Sequence, residues 1–213
     1  MYTPPHFNEV DRDRLHSVIE ENPLGILVTN SAGLLDANHI PFHLDRTAGE
    51  SGTLACHVAR QNPVWQELAS GDPVLVVFRG SDAYISPQWY PSKQIHHRQV
   101  PTWNYVVAHV HGRVTIRDDP AFVRRNVALL TRHHEQGQPA PWKMGDAPRD
   151  YIDAMVQAIV GLEIEITRIE GKAKLSQNKD MSDIIGASVA LTERGDAAIG
   201  SAMQEAASRK VRE

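Results

Sequence analysis

The chain has 213 residues, 41% hydrophobic and 23% charged, proportions that exclude a disordered, collagenous or low-complexity protein. With 22 Lys and Arg against 26 Asp and Glu the net charge is -4, so nothing draws the whole molecule to a phosphate polymer and nucleic-acid binding would need a local patch. The single cysteine, Cys56, permits no internal disulfide and no thiolate cluster for structural zinc. Glu9, Asp11, Arg12, Asp13, Arg14 and Glu20 interrupt the first twenty positions, and no run approaches the eighteen or so apolar residues of a membrane span. The expectation is a soluble, cytoplasmic protein of one domain, or one domain plus an appendage.

In chain order, residues 9–22 read as a helix with Leu15, Val18 and Ile19 on one face and Pro23 as its stop. Residues 24–30 and 34–44 flank a Ser-Ala-Gly turn and predict a β-hairpin. Residues 52–58 form a third strand, and Asn62-Pro63 opens a short helix through Leu68. Residues 73–79, apolar on both faces, predict a central strand that 83–86 continues or pairs with. Residues 87–101 read as a long polar loop, too rich in Pro, Lys, Gln and His to bury itself. Along 103–117 one face carries Asn104, Val106, Ala108, Val110, Gly112, Val114 and Ile116, the other Trp103, Tyr105, Val107, His109, His111 and Arg113, the alternation of a strand with one core face. Helices follow over 120–136 and 147–160, then a strand over 162–169. The last forty residues are helical, with Met181, Ile184 and Ile185 as the packing face. Six or seven closely spaced strands without a βαβ rhythm argue for a mainly β protein, an antiparallel barrel with flanking helices.

No G-x-G-x-x-G, G-x-x-x-x-G-K-[ST], G-x-S-x-G or H-E-x-x-H occurs, so the common dinucleotide, triphosphate, hydrolase and zincin sites lack their parts, and no catalytic residue is assigned. Eleven histidines are the compositional oddity. His109 and His111 share a strand face, and His39 and His43 could join them around a metal. No acidic residue lies within either cluster, so a polar cross-strand pair or a pocket wall is the better reading and no metal ligand is assigned. Tyr84, Trp89, Tyr90, Trp103 and Tyr105 flank a segment holding Ser92, Lys93, His96, His97 and Arg98. Ring faces beside cations and hydroxyls suit a planar, phosphorylated ligand, although aromatics capping a barrel end give the same pattern. His57, Arg60 and Asn62 lie where the third strand runs into a helix, a spot ready for an anion. In 171–179 three lysines follow a strand end, and Gln177 and Asn178 offer the donors and acceptors that a flavin's pyrimidine edge requires.

Several blocks together resemble the PaiB family, the FMN-binding negative transcriptional regulators: Met-Tyr-Thr-Pro at 1–4, His-Ile-Pro at 39–41, His-Val-Ala-Arg-Gln-Asn-Pro-Val-Trp at 57–65, Tyr-Ile-Ser-Pro-Gln-Trp-Tyr at 84–90, Val-Pro-Thr-Trp-Asn-Tyr at 100–105 and Lys-Leu-Ser-Gln-Asn at 174–178. The resemblance runs from residue 1 to about 180. It implies an antiparallel split β-barrel, the FMN-binding split barrel shared with pyridoxamine phosphate oxidases, over residues 1–170 with helices inserted at 119–160. A helical extension, 171–213, would pack on it. It further implies a homodimer with FMN at the subunit interface. Arg60 would take the place of the basic phosphate ligand, with His57 and Asn62 beside it. The expected cofactor set is His39, His57, Arg60, Asn62, Lys93, Thr102, Trp103, Asn104, Gln177 and Asn178.

Three functions remain open on these residues. The first is an FMN-binding regulator, whose DNA contact, if made, would run through Arg124, Arg125 and Arg132 or the lysines at 172–179 and be strongly salt-dependent. The second is a flavin-dependent oxidoreductase, or a haem- or cofactor-handling protein on the same barrel, with His39, His109 and His111 facing substrate. In the third no cofactor binds and the aromatic cluster is a dimer interface.

Overall fold

Alternating apolar positions place eight strands in one sheet in the computed structural model, which describes residues 1–210. The strands are β1 (Asn8–Glu9), β2 (Leu24–Ser31), β3 (Leu34–Pro41), β4 (His43–Asp45), β5 (Thr53–Ala59), β6 (Pro73–Ile85), β7 (Thr102–Arg117) and β8 (Ile159–Lys174). Their hydrogen-bonded order is β3-β2-β6-β7-β8-β5-β4, with β1 pairing to β8. The helices are α1 (Arg12–Glu21), α2 (Val64–Glu67), α3 (Pro91–His96), α4 (Pro120–Glu135), α5 (Arg149–Gln157), α6 (Met181–Glu193) and α7 (Ala197–Lys210). Strands β6, β7 and β8 run through both of two compact units, one built from residues 19–78 and 109–169, the other from 1–18, 79–108 and the chain from 170 onward.

In the unit of residues 19–78 and 109–169, β2 and β3 pair antiparallel from Leu24–Pro41 to Ser31–Leu34. Ala32 and Gly33 both have positive φ, 51° and 84°, the two-residue turn whose twist matches a hairpin. Strand β5 buries Leu54, Cys56 and Val58 and turns Thr53, Ala55 and His57 to its other face. Asp119 caps α4 by accepting from the Phe122 amide at 2.8 Å, with Pro120 in the first turn. Val123 of α4 joins Ile152 and Val156 of α5 in a small apolar cluster against which Val127 and Met144 pack.

The other unit owes its core to the tail. Ile184, Ala187 and Leu191 of α6 and Ile199, Met203 and Ala206 of α7 pack with Ala83, Ile85, Tyr90, Ala173 and Leu175. Burying that many apolar side chains is what holds two short helices whose intrinsic propensity alone would not.

Four expectations are corrected. Residues 87–101 are not an irregular polar loop: Pro87 opens a 3-10 turn capped by Ser86, Pro91 opens α3, and Tyr90 and Ser92 are buried. The helix expected over 147–160 stops at Gln157, and β8 begins at Ile159, three residues before the expected strand. That strand continues through Lys174, so Lys172 and Lys174 lie within it rather than beyond its end. Ile185 of the expected packing face is 49% exposed while Ile184 is buried; residues 73–85, by contrast, form one continuous strand, the first of the two arrangements expected there.

Candidate functional site

The residues singled out for a cofactor divide between the two units, and each group has its own geometry. In the first unit, His39 is exposed on β3, on the opposite strand face from its neighbour Asn38. Asn62 donates to Asn38 Oδ1 at 2.8 Å and its own Oδ1 accepts from the Val64 amide at 3.0 Å. One end of that amide therefore holds the turn into α2 and the other ties it to β3.

Arg60, expected as a phosphate ligand, is a clasp. Its Nη1 and Nη2 donate to the two Asp118 oxygens at 2.9 and 2.6 Å, Nε donates to the Gln157 carbonyl at 2.8 Å, and Nη2 also reaches the Ile159 carbonyl at 3.3 Å. Four of the five guanidinium N–H bonds are thereby engaged. The fork also lies 5.8 Å over the Trp65 ring, whose Nε1 donates to the Arg60 carbonyl. The pairing holds the Asp118 carboxyl below the usual carboxylate range. An anion arriving at Arg60 would have to displace Asp118.

His57 sits across from Gly161 on β8, with Nδ1 3.2 Å from Asn126 Nδ2. With the amide donating, Nδ1 accepts and the imidazole is neutral, in keeping with the burial that pushes His57 below its ordinary value of 6.5. Asn126 is 2% exposed and its Oδ1 has no hydrogen-bond partner among the described residues.

In the second unit the two most specific sequence blocks are fastened to each other. The Lys174 ammonium donates to Thr102 Oγ1 and, at 2.8 Å, to the Trp103 carbonyl. Asn104, fully buried, donates to Ser176 Oγ at 2.9 Å, and the Tyr90 hydroxyl lies 3.4 Å from the same oxygen. Ser176 takes a left-handed backbone, φ 66°, where a side-chain residue is held only by its surroundings. Gln177 closes this turn, accepting from the Leu175 amide at 2.7 Å and donating to the Ala173 carbonyl at 2.6 Å. Asn178 is exposed. Lys93, expected to point at a ligand, donates to Gln88 Oε1 at 2.7 Å.

Against this packed background Trp103 stands 54% exposed, edge-on to Tyr84 with centroids 6.2 Å apart. Burial lowers the Lys174 ammonium from its ordinary value, Tyr105 opposing and Lys172 assisting. With two of its three protons committed, that ammonium keeps one for an incoming acceptor. Sequence reasoning missed three residues that shape these groups: Asp118, Asn126 and Asp183. Asp183, 1% exposed, accepts from the Ser92 amide and hydroxyl at 3.0 and 2.6 Å and from Gln99 at 3.1 Å. No local motif announces any of them, because each of these partners lies at least 58 residues away along the chain.

A mainly antiparallel sheet of eight strands with flanking helices is the fold of the flavin-binding split barrels. The FAD and heme binding protein from Mycobacterium smegmatis shares it with a TM-score of 0.59 and 19% identity, over 84% of this chain and 79% of that one. The chain belongs to the family described as "Putative FMN-binding domain", whose model matches residues 1–168. It is 33% identical over 214 residues to an uncharacterized protein of Aspergillus fumigatus, covering 79% of this chain and 82% of that one. It is 28% identical over 184 residues to the Protease synthase and sporulation protein PAI 2 of Bacillus subtilis, covering 86% and 85%. The PaiB resemblance is borne out, and a flavin is the cofactor that goes with this family.

Proposed function

We propose that the chain is an FMN-binding transcriptional regulator of the PaiB type, acting as a homodimer, and that the fastened blocks at 102–104 and 174–178 form one wall of the flavin site. The observation that carries this is the Trp103 ring, left half in solvent on the strand beside the buried Asn104, next to the partly buried Lys174 ammonium. A flavin supplies a redox-active tricycle with an electron-poor face and a phosphate tail. Trp103 offers it a ring to stack on, Lys174 offers positive charge, and the Asn104–Ser176 bond keeps the two strand ends in register beneath them. His39, His57, Arg60, Asn62, Lys93, Gln177 and Asn178 stay in the proposed set. For Arg60 the proposal requires that flavin phosphate replace the Asp118 carboxylate.

For the homodimer the support is an edge. Strand β3 ends the order of the sheet, and Leu34 and Leu35 on it are each 76% exposed; an open apolar edge invites a second copy. For the regulatory half the support is the name of the Bacillus relative, which ties that protein to protease synthesis and sporulation. Of the cations expected at DNA, Arg124 is paired with Asp153, Lys172 donates to the Tyr2 carbonyl and Lys179 to Gln99. Arg125 and Arg132 carry no ion pair among the described residues.

The test is a titration of the flavin-free protein with FMN, read by the flavin absorbance band and by quenching of its emission. We expect saturable binding in the wild type, weakened about tenfold or more in Trp103→Ala by loss of one stacking face. No spectral change on adding FMN would sink the proposal. Bleaching of the bound flavin by NADH would move the function to an oxidoreductase.

A further inference from the structure

Beside the C-terminal half of α4 lies a cavity of about 550 Å3, within the range that holds small organic ligands. None of the residues expected to hold flavin lines it. From α4 it takes Ala128, Thr131, Arg132 and Glu135, positions spaced three, four and seven apart and so on one helix stripe. The opposite wall is Trp142, Lys143 and Met144 in the segment after the helix.

That segment is tied to the last residue of α4 and closed by a turn of its own. The Gln138 amide donates to the Glu135 carbonyl at 3.0 Å, and the Trp142 amide to Glu135 Oε2 at 2.8 Å. Lys143 and Asp146 close a turn, with Lys143 N to Asp146 Oδ2 at 3.0 Å and Asp146 N to the Lys143 carbonyl at 2.9 Å. Met144 leans on the Val123, Ile152 and Val156 cluster. The cavity is therefore preformed, and the Trp142 ring at its mouth stays 43% exposed.

Its charge is unbalanced. Arg132 and Lys143 line the cavity and carry no ion pair among the described residues, whereas Arg124, two turns earlier on the same helix, is paired with Asp153. One oxygen of Glu135, the carboxylate in the lining, is already taken by the Trp142 backbone. An indole face, apolar walls and two cations against a single carboxylate, one cation with a planar fork, select a flat ring bearing an anionic group.

We propose that this cavity binds a small aromatic carboxylate, its ring against Trp142 and its carboxylate between Arg132 and Lys143. The site is separate from the flavin proposal and stands or falls without it.

The experiment uses the full chain saturated with FMN and titrates it with salicylate, and with benzyl alcohol as the uncharged control. Binding is read by calorimetry and by the indole N–H resonance of Trp142. The expected result is one salicylate per chain, no measurable binding of benzyl alcohol, and an affinity weakened about tenfold or more in Arg132→Ala/Lys143→Ala. Arg132→Lys should retain part of it. Both changed residues are exposed, so the variants should keep their circular dichroism and their flavin absorbance, which reads the flavin site separately. The proposal is overturned if salicylate produces neither heat nor a Trp142 shift. It is overturned equally if the double variant binds as the wild type does, or if the Trp142 resonance moves only with protein concentration, as it would were a second copy covering the cavity.

Discussion

Asn104 carries the join between the two blocks that mark the family. Its Nδ2 serves both Ser176 Oγ and, at 3.4 Å, the Met203 sulfur, while its Oδ1 is buried without a partner among the described residues. Asn104→Ala removes the bond to Ser176, and we expect a loss of roughly 1–3 kcal/mol in urea unfolding. Removal of the unpartnered Oδ1 keeps the cost toward the lower end, and an unchanged midpoint would mean that the join contributes nothing. His57 sets a pH dependence. Its folded pKa is depressed by burial below 6.5, so between those two values the unfolded chain binds more protons than the folded one. The stability it contributes is whole above pH 6.5 and is lost as pH falls through the folded value. His43 moves the same way: burial lowers it most, Asp45 opposes, and His133 and Arg125 add to the lowering. The melting temperature should fall on acidification from about pH 7 to 5, and His57→Gln should flatten that fall; an equally steep profile in the variant would assign it elsewhere. At this scale the sequence is legible for which residues matter and blind to whom they meet. Lys-Leu-Ser-Gln-Asn can be read as a block, but only folding brings Lys174 to Thr102 and Arg60 to Asp118.

Strand β8 shows why element boundaries were harder. Ile152, Val156 and Val160 recur every fourth residue and extend a helical stripe, while Val160, Leu162, Ile164 and Ile166 alternate as a strand does. The strand wins at Ile159 because all four alternating residues are buried and because residues 159–165 pair with 59–53 of β5, a long-range gain that local periodicity does not carry. Segment 87–101 failed differently. Counting its polar residues hid that Asp183, in a helix some ninety positions later, satisfies the amide and hydroxyl of Ser92 and so lets that turn be buried. The central strand 103–117 was legible throughout, since its alternation admits no helical alternative. It also contains a position with no room. A Cβ on Gly112 would lie 2.4 Å from Ile164 Cγ2 and 2.5 Å from the Glu165 carbonyl oxygen. Because the second obstacle is backbone, it cannot turn aside as a side chain would. Gly112→Ala should destabilise the sheet by about 3 kcal/mol, visible as a lower denaturation midpoint or as insoluble protein; wild-type stability would mean that β7 and β8 separate more easily than their packing implies.

At the scale of the molecule, the compact division gathers residues 1–18, 79–108 and the tail into one unit, a grouping of three distant segments that no composition shift along the chain marks. Among the described residues no helix is long and apolar enough to cross a membrane. The homodimer proposal is decided here. Wild-type protein should sediment as a dimer and Leu34→Lys/Leu35→Lys as a monomer, because two charges on the edge strand oppose pairing; a monomeric wild type removes the proposal. The lone cysteine has a use of its own. Cys56 is fully buried within β5, and burial pushes its thiol far above its ordinary value, so a disulfide reagent in solution finds neither access nor thiolate. Modification must wait until β5 and the strands beside it open. The molecule thus contains a single internal clock for its own unfolding, and its labelling rate with a colorimetric thiol reagent should slow if flavin binding holds the sheet closed.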